Sequence, residues 1–144
     1  MLMFMRRINL LSRCEGLYRT DRLPDAGLRP IHHSMVFTIC RMPGISQEEL
    51  ATQVCLNKST VTRQLAPLEE QGYVKRCQSE SDKRVILVYP TQKMLDILPR
   101  VREVTREWNA YLTEGFSEEE LTQFSAMLDK ITERAQKYAK ERTE

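Results

Sequence analysis

The segment ISQEELATQVCLNKSTVTRQLAPLEEQGYVKR, residues 45–76, decides the fold. Ser46 followed three positions later by Glu49 is a capping-box spacing, in which a hydroxyl and a carboxylate satisfy backbone N–H groups at a helix start. A short helix is therefore expected from Ser46 to about Val54, with Cys55 and Leu56 left as a turn. Asn57 carries the short acceptor that caps a further helix, whose apolar residues Val61, Leu65 and Leu68 stand at i, i+4 and i+7 and so share one face. Gly72 supplies its stop, because glycine takes left-handed backbone without a Cβ clash. Two helices joined by a tight turn are the expected result.

Downstream, residues 74–78 and 85–89 are apolar and β-branched enough to read as two strands, connected by the polar SESDKR segment. A long helix follows Pro90 and Thr91, with Leu95, Leu98, Val101, Val104, Trp108 and Leu112 along one side. Pro99 is expected to bend or split it, since the ring removes a backbone donor. Ser117 and Glu120 form a second capping box and open a last helix with Leu121, Phe124, Leu128, Ile131, Ala135 and Tyr138 inward. Upstream, Phe4, Ile8, Leu11, Cys14 and Tyr18 give residues 2–19 a helical rhythm. TDRLPDAGLRP, residues 20–30, is loop chemistry, and a second helix is expected over residues 31–41, ended by MPG. The predicted class is mainly α with a small β-hairpin (α+β), in the order helix, helix, helix-turn-helix, hairpin, helix, helix.

At 144 residues the chain can bury one core without staples, and a 41% hydrophobic, 29% charged balance is that of a folded soluble protein. Arg6, Arg7 and Arg13 interrupt the apolar start, so neither a signal peptide nor a membrane span is expected, and the cytoplasm is the expected address. Cys14, Cys40, Cys55 and Cys77 form no CxxC pair and have no histidine at zinc-ligand spacing, which points to no metal and no cofactor. The chain has no GxSxG, no HExxH and no glycine-rich phosphate loop, so no enzyme is expected. A net charge of +2 excludes nothing by itself; what matters is where the bases lie.

Two points along the chain stand out. With Val61, Leu65 and Leu68 turned to the core, Ser59, Thr60, Thr62 and Arg63 face outward at the start of their helix, where a positive dipole and unpaired N–H groups favour phosphates. Taken singly this is as well read as an ordinary solvated face. The hairpin that follows, with Lys83 and Arg84 at its tip, shifts the balance toward a helix for the major groove and a β-wing beside it.

Three stretches in order and spacing, PGISQEELA (43–51), NKSTVTRQLAPLEEQGYVKR (57–76) and SDKRVILVYPT (81–91), resemble the MarR family of winged-helix transcription regulators. The resemblance implies a single domain over residues 1–144, with a winged helix-turn-helix part at 31–90 and N- and C-terminal dimerisation helices at 1–20 and 95–144. It implies a homodimer, acting as a repressor, on a pseudo-palindromic operator in double-stranded DNA. Carried onto this chain, the DNA-binding set is Asn57, Lys58, Ser59, Thr60, Thr62, Arg63, Arg76, Lys83 and Arg84, with Asp82 as the wing support that aims Arg84. The family's ligand cleft would draw on Tyr18, Arg19, His32, His33 and Met35 for a small, aromatic or anionic effector. CEGLY, with Cys14 four residues before Tyr18, also resembles a peroxide-sensing branch, although that branch has a tyrosine where this chain has Ile31, His32 and His33. Two alternatives thus stand beside the ligand-responsive regulator: a thiol-based redox sensor using Cys14, and a winged-helix adaptor for protein partners that has lost DNA contact.

Overall fold

A computed structural model describes residues 4–142. The helices are α1 (Phe4–Arg22), α2 (Pro30–Arg41), α3 (Gln47–Gln53), α4 (Lys58–Glu70), α5 (Gln92–Leu112) and α6 (Glu118–Glu141), with strands β1 (Ile45–Ser46), β2 (Val74–Gln78) and β3 (Ile86–Pro90). The chain forms two compact units, one through Trp108 and one from Asn109 onward. Among the described residues no helix is long and apolar enough to cross a membrane. The residues 1–3 and 143–144 of the expected dimerisation segments lie outside the described part.

The first unit is a winged helix-turn-helix. Ser46 Oγ accepts from the Glu49 N–H at 3.1 Å and starts α3, and Asn57 Oδ1 accepts from the Thr60 N–H at 2.7 Å and starts α4. Between them Cys55 takes φ 53°, the left-handed conformation that closes the turn. Val61, Leu65 and Leu68 are fully buried against Met35, Val36 and Ile39 of α2, Leu50 of α3 and Val88 of β3. This core fixes the face that α4 leaves in solvent.

The wing strands run antiparallel, with Arg76 opposite Val88 and Gln78 opposite Ile86. β3 also pairs on its other side with β1, Ile45 opposite Val88 and Ser46 opposite Leu87, making a three-stranded sheet of order β1-β3-β2. A two-residue strand has no periodicity to detect, so the expectation was a hairpin alone. β3 starts at Ile86 and not at Val85, whose N–H and carbonyl close the wing loop onto Asp82 and Ser79. Thr91 anchors the base of the wing, its N–H and hydroxyl both reaching the Tyr73 carbonyl at 3.0 Å.

Two expectations are corrected. Pro99 does not split α5, which runs as one helix because proline's fixed φ is already helical and only one backbone bond is lost, while Met94, Val101 and Val104 on the same helix are fully buried. Residues 20–30 are not all loop: α1 continues to Arg22, Pro24–Ala26 is a 3₁₀ turn and Pro30 opens α2. Proline at a first helical position loses a donor that has no partner there anyway.

A third concerns the terminal stripes. In α6, begun by a complete capping box between Ser117 and Glu120, no residue is buried. Phe124, Leu128, Ile131 and Tyr138 are exposed instead of inward, at 57%, 39%, 42% and 65%. In α1, Phe4, Leu11 and Cys14 of the expected stripe are exposed, and so are Leu10 and Leu17 beside it, while Ile8 and Tyr18 are half-buried. The helical rhythm is real, but its apolar face is not spent on this chain's own core.

Candidate nucleic-acid interface

The exposed face of α4 starts at its cap. Because Asn57 Oδ1 accepts from a backbone N–H, its amide orientation is fixed, and the Ser59 hydroxyl at 2.8 Å must donate to the same oxygen. Thr62 Oγ1 donates to the Lys58 carbonyl at 3.0 Å. Arg63 Nη2 reaches Thr60 Oγ1 at 3.5 Å, and Lys58 lies 4.0 Å from Glu48 with both side chains largely in solvent. Exposed pairs of this kind contribute little to stability. Lys58, Ser59, Thr62 and Arg63 are all exposed, while Thr60 is half-buried.

Arg76 is placed differently. Its Nε and Nη2 donate to Glu69 Oε2 at 3.0 and 2.7 Å, its backbone N–H donates to Glu69 Oε1 at 3.1 Å, and Nη1 donates to Gln47 Oε1 at 3.3 Å. Gln47, buried at the start of α3, passes the chain on by donating from Nε2 to Thr62 Oγ1 at 3.2 Å. The Arg76 guanidinium holds the Glu69 carboxyl below the usual carboxylate range. A side chain expected among the DNA contacts is thus occupied in tying β2 to both ends of the helix-turn-helix. Gln47 and Glu69 were not among the expected site residues. Their only sequence signal is polarity next to a helix end, which countless solvated residues share.

At the wing tip, Asp82 Oδ1 accepts from Arg84 Nε and Oδ2 from Nη2, both at 3.2 Å, while Oδ1 also accepts from the Arg84 N–H at 3.0 Å. Arg84 remains 91% exposed in its side chain. The guanidinium keeps the Asp82 carboxyl below its ordinary value, so the carboxylate stays charged. Lys83 is exposed beside it. The acid therefore neutralises one edge of the arginine and leaves the other presented.

The residues expected at a ligand cleft divide. Arg19 and His33 line a cleft of about 370 Å³ together with Ser12, Glu15, Pro30 and Ser34. Arg19 donates to Glu15 and, from Nη1, to His33 Nδ1. Burial, then the Arg19 and His32 charges, push His33 down to about 4. Its remaining Nε2 is buried without a hydrogen-bond partner. His32 faces elsewhere, with Nδ1 accepting from the Arg29 N–H at 3.1 Å and Nε2 donating to Gln64 Oε1 at 3.2 Å. Met35 is fully buried core and lines no part of the cleft. Tyr18 stacks on Trp108 at 4.9 Å and donates to Glu107 at 3.2 Å, so its hydroxyl is directed to a carboxylate rather than to the exposed Cys14. Among the described residues no cluster of three or more histidine, cysteine or acidic side chains is arranged to hold a metal.

A helix-turn-helix with a supported arginine wing can now be set beside known proteins. The model of the MarR family matches residues 29–86, from the cap of α2 to the start of β3. A crystal structure of MarR superposes with a TM-score of 0.83 at 28% identity, covering 93% of this chain and 98% of that one. Over residues 29–86 the chain matches the MarR family, and its fold is that of MarR. Among relatives in sequence, the uncharacterised HTH-type transcriptional regulator YybA of Bacillus subtilis is 26% identical over 127 residues, 88% of this chain and 85% of that one. A MarR-family regulator from Listeria monocytogenes, crystallised with a 26-mer DNA, has the same fold with a TM-score of 0.88 at 24% identity, covering 96% of this chain and 93% of that one.

Proposed function

We propose that the chain is a DNA-binding transcription regulator that works as a homodimer, represses from a pseudo-palindromic operator and answers a small molecule. The observation that carries the reading is the pairing of two exposed features on one rigid core: the Ser59, Thr62, Arg63 face of α4 and the Arg84 guanidinium held open by Asp82. An arginine fixed in one rotamer loses less entropy on meeting a phosphate or a groove than a free one. The DNA bound by the Listeria relative, on the same fold, supports the same use here.

Dimerisation is supported by the apolar residues of α1 and α6 that stand in solvent, which a lone soluble chain rarely leaves so numerous. A two-fold dimer would set two copies of α4 about one DNA turn apart. The cleft between α1 and α2, with Arg19 and His33 in its wall, is the candidate effector site. An effector there would act on α1, the helix assigned to the dimer.

Duplex binding measured against salt tests the reading. Lys58, Arg63, Lys83 and Arg84 from each of two protomers set an upper slope of about −7 in log K against log salt. A slope of several is expected; duplex binding that is absent, or independent of salt, would refute the DNA role.

A further inference from the structure

The polar chain from the wing strand to the recognition helix has a direction that chemistry fixes. A guanidinium only donates, so the oxygen of the Gln47 amide is the atom facing Arg76 Nη1 at 3.3 Å, and the nitrogen is the atom facing Thr62. A carbonyl only accepts, so the Thr62 hydroxyl proton points to Lys58 O at 3.0 Å. Thr62 Oγ1 is thus donor to one group of the protein and acceptor from another. What this exposed residue has left for a partner is its methyl group and a single lone pair.

We propose that Gln47 is a positioning residue for base reading: by bridging Arg76 of the wing strand to Thr62 of α4 it turns the Thr62 hydroxyl inward and makes position 62 select an A·T base pair. The inference rests on the DNA-binding reading. In the major groove an A·T pair presents, on one edge, a thymine methyl for apolar contact and an adenine amino group that can donate into the free lone pair. A G·C pair has no methyl there; its cytosine amino group can serve the lone pair as the adenine amino group does, so the selection for A·T rests on the threonine methyl that the inward hydroxyl leaves facing the groove. Without Gln47 only the Lys58 carbonyl at 3.0 Å holds the Thr62 hydroxyl, the side chain rotates more readily to donate outward to guanine, and the preference for A·T falls. Gln47 itself is 7% exposed and touches no base; it acts through Thr62.

Three features separate this role from plain structural support. Glu69 holds Arg76 independently of Gln47, so β2 remains tied to α4 when the amide is altered. Gln47→Glu keeps the size and the contact to Arg76 and loses only the N–H donor toward Thr62. Thr62→Val keeps the methyl and removes the hydroxyl on which Gln47 acts.

Duplexes selected from a random pool by the full chain are the probe. The base pair met by Thr62 is the one whose thymine, replaced by deoxyuridine, weakens binding by the natural chain but not by Thr62→Ser. At that pair the natural chain is expected to prefer A·T over G·C by about tenfold, as one good base-edge contact provides. Gln47→Leu and Gln47→Glu are expected to reduce the preference to about twofold or less, and in the Thr62→Val background neither change adds anything. Full retention of the preference in both Gln47 variants, or no thymine that behaves as described, overturns the proposal while leaving DNA binding intact. A chain that selects no duplex at all overturns the DNA reading and this inference with it.

Discussion

Asp82 grips Arg84 at three points, accepting from its backbone N–H at 3.0 Å and from Nε and Nη2 at 3.2 Å, in a turn that the Val85 N–H closes onto the Asp82 carbonyl at 2.9 Å. The backbone bond shapes the loop and the side-chain bonds aim the guanidinium. Asp82→Ala removes both, so DNA affinity is expected to fall severalfold although a negative charge has been taken away from a surface meant for an anion. If the carboxylate were merely a repulsive bystander, the same substitution would tighten binding. Titration of one duplex at fixed salt distinguishes the two.

His33 predicts an acid limb in stability. Its folded value of about 4 lies below the ordinary 6.5, so the folded protein holds this ring neutral while the unfolded chain takes up a proton. The contribution is fully present above pH 6.5 and is lost as pH falls toward 4, roughly 3 kcal/mol over that window. Denaturant unfolding at a series of pH values should show the loss, and His33→Leu should flatten it. An unchanged slope in the variant would move the acid sensitivity to other groups.

Cys55 sits at φ 53° in the turn between α3 and α4, a conformation in which a side chain clashes with its own backbone. Cys55→Val, β-branched, is expected to lower stability by about 1–2 kcal/mol. Cys77→Val, at an exposed position of strand β2, is expected to change it by no more than about 0.5 kcal/mol. Cys55→Gly relieves the clash and is expected to be near neutral. Melting curves of the three variants under reducing conditions decide it.

The exposed apolar residues of α6 predict a dimer that charge breaks. Phe124→Lys together with Ile131→Lys places two cations on the stripe, and sedimentation is expected to give a monomer with duplex affinity strongly reduced, because half of a two-fold site binds alone. A dimer of unchanged strength would place the interface elsewhere.

Local rules were legible in the sequence. Asn57, Ser46 and Ser117 cap helices where the spacing said they would, since a cap is written within four residues. The face of α4 followed from Val61, Leu65 and Leu68 alone. What the sequence hid depends on distant partners. β1 exists only because Ile45 and Ser46 lie against Val88 and Leu87. Arg76 reads as a surface base until Glu69 and Gln47 are brought to it from α4 and α3. The stripe of α6 reads as core, because periodicity reports that a face is apolar and not what will cover it.

If α4 and the wing together read duplex DNA, as we propose, removing the cation of either one weakens binding. The most direct test is the affinity of a selected duplex, at one fixed salt concentration, for the natural chain, Arg63→Ala and Arg84→Ala. Both variants are expected to bind at least about tenfold more weakly while keeping the melting temperature and the oligomeric state of the natural chain, since both side chains are exposed and hold no core together. Affinity equal to that of the natural chain in both variants would contradict the account.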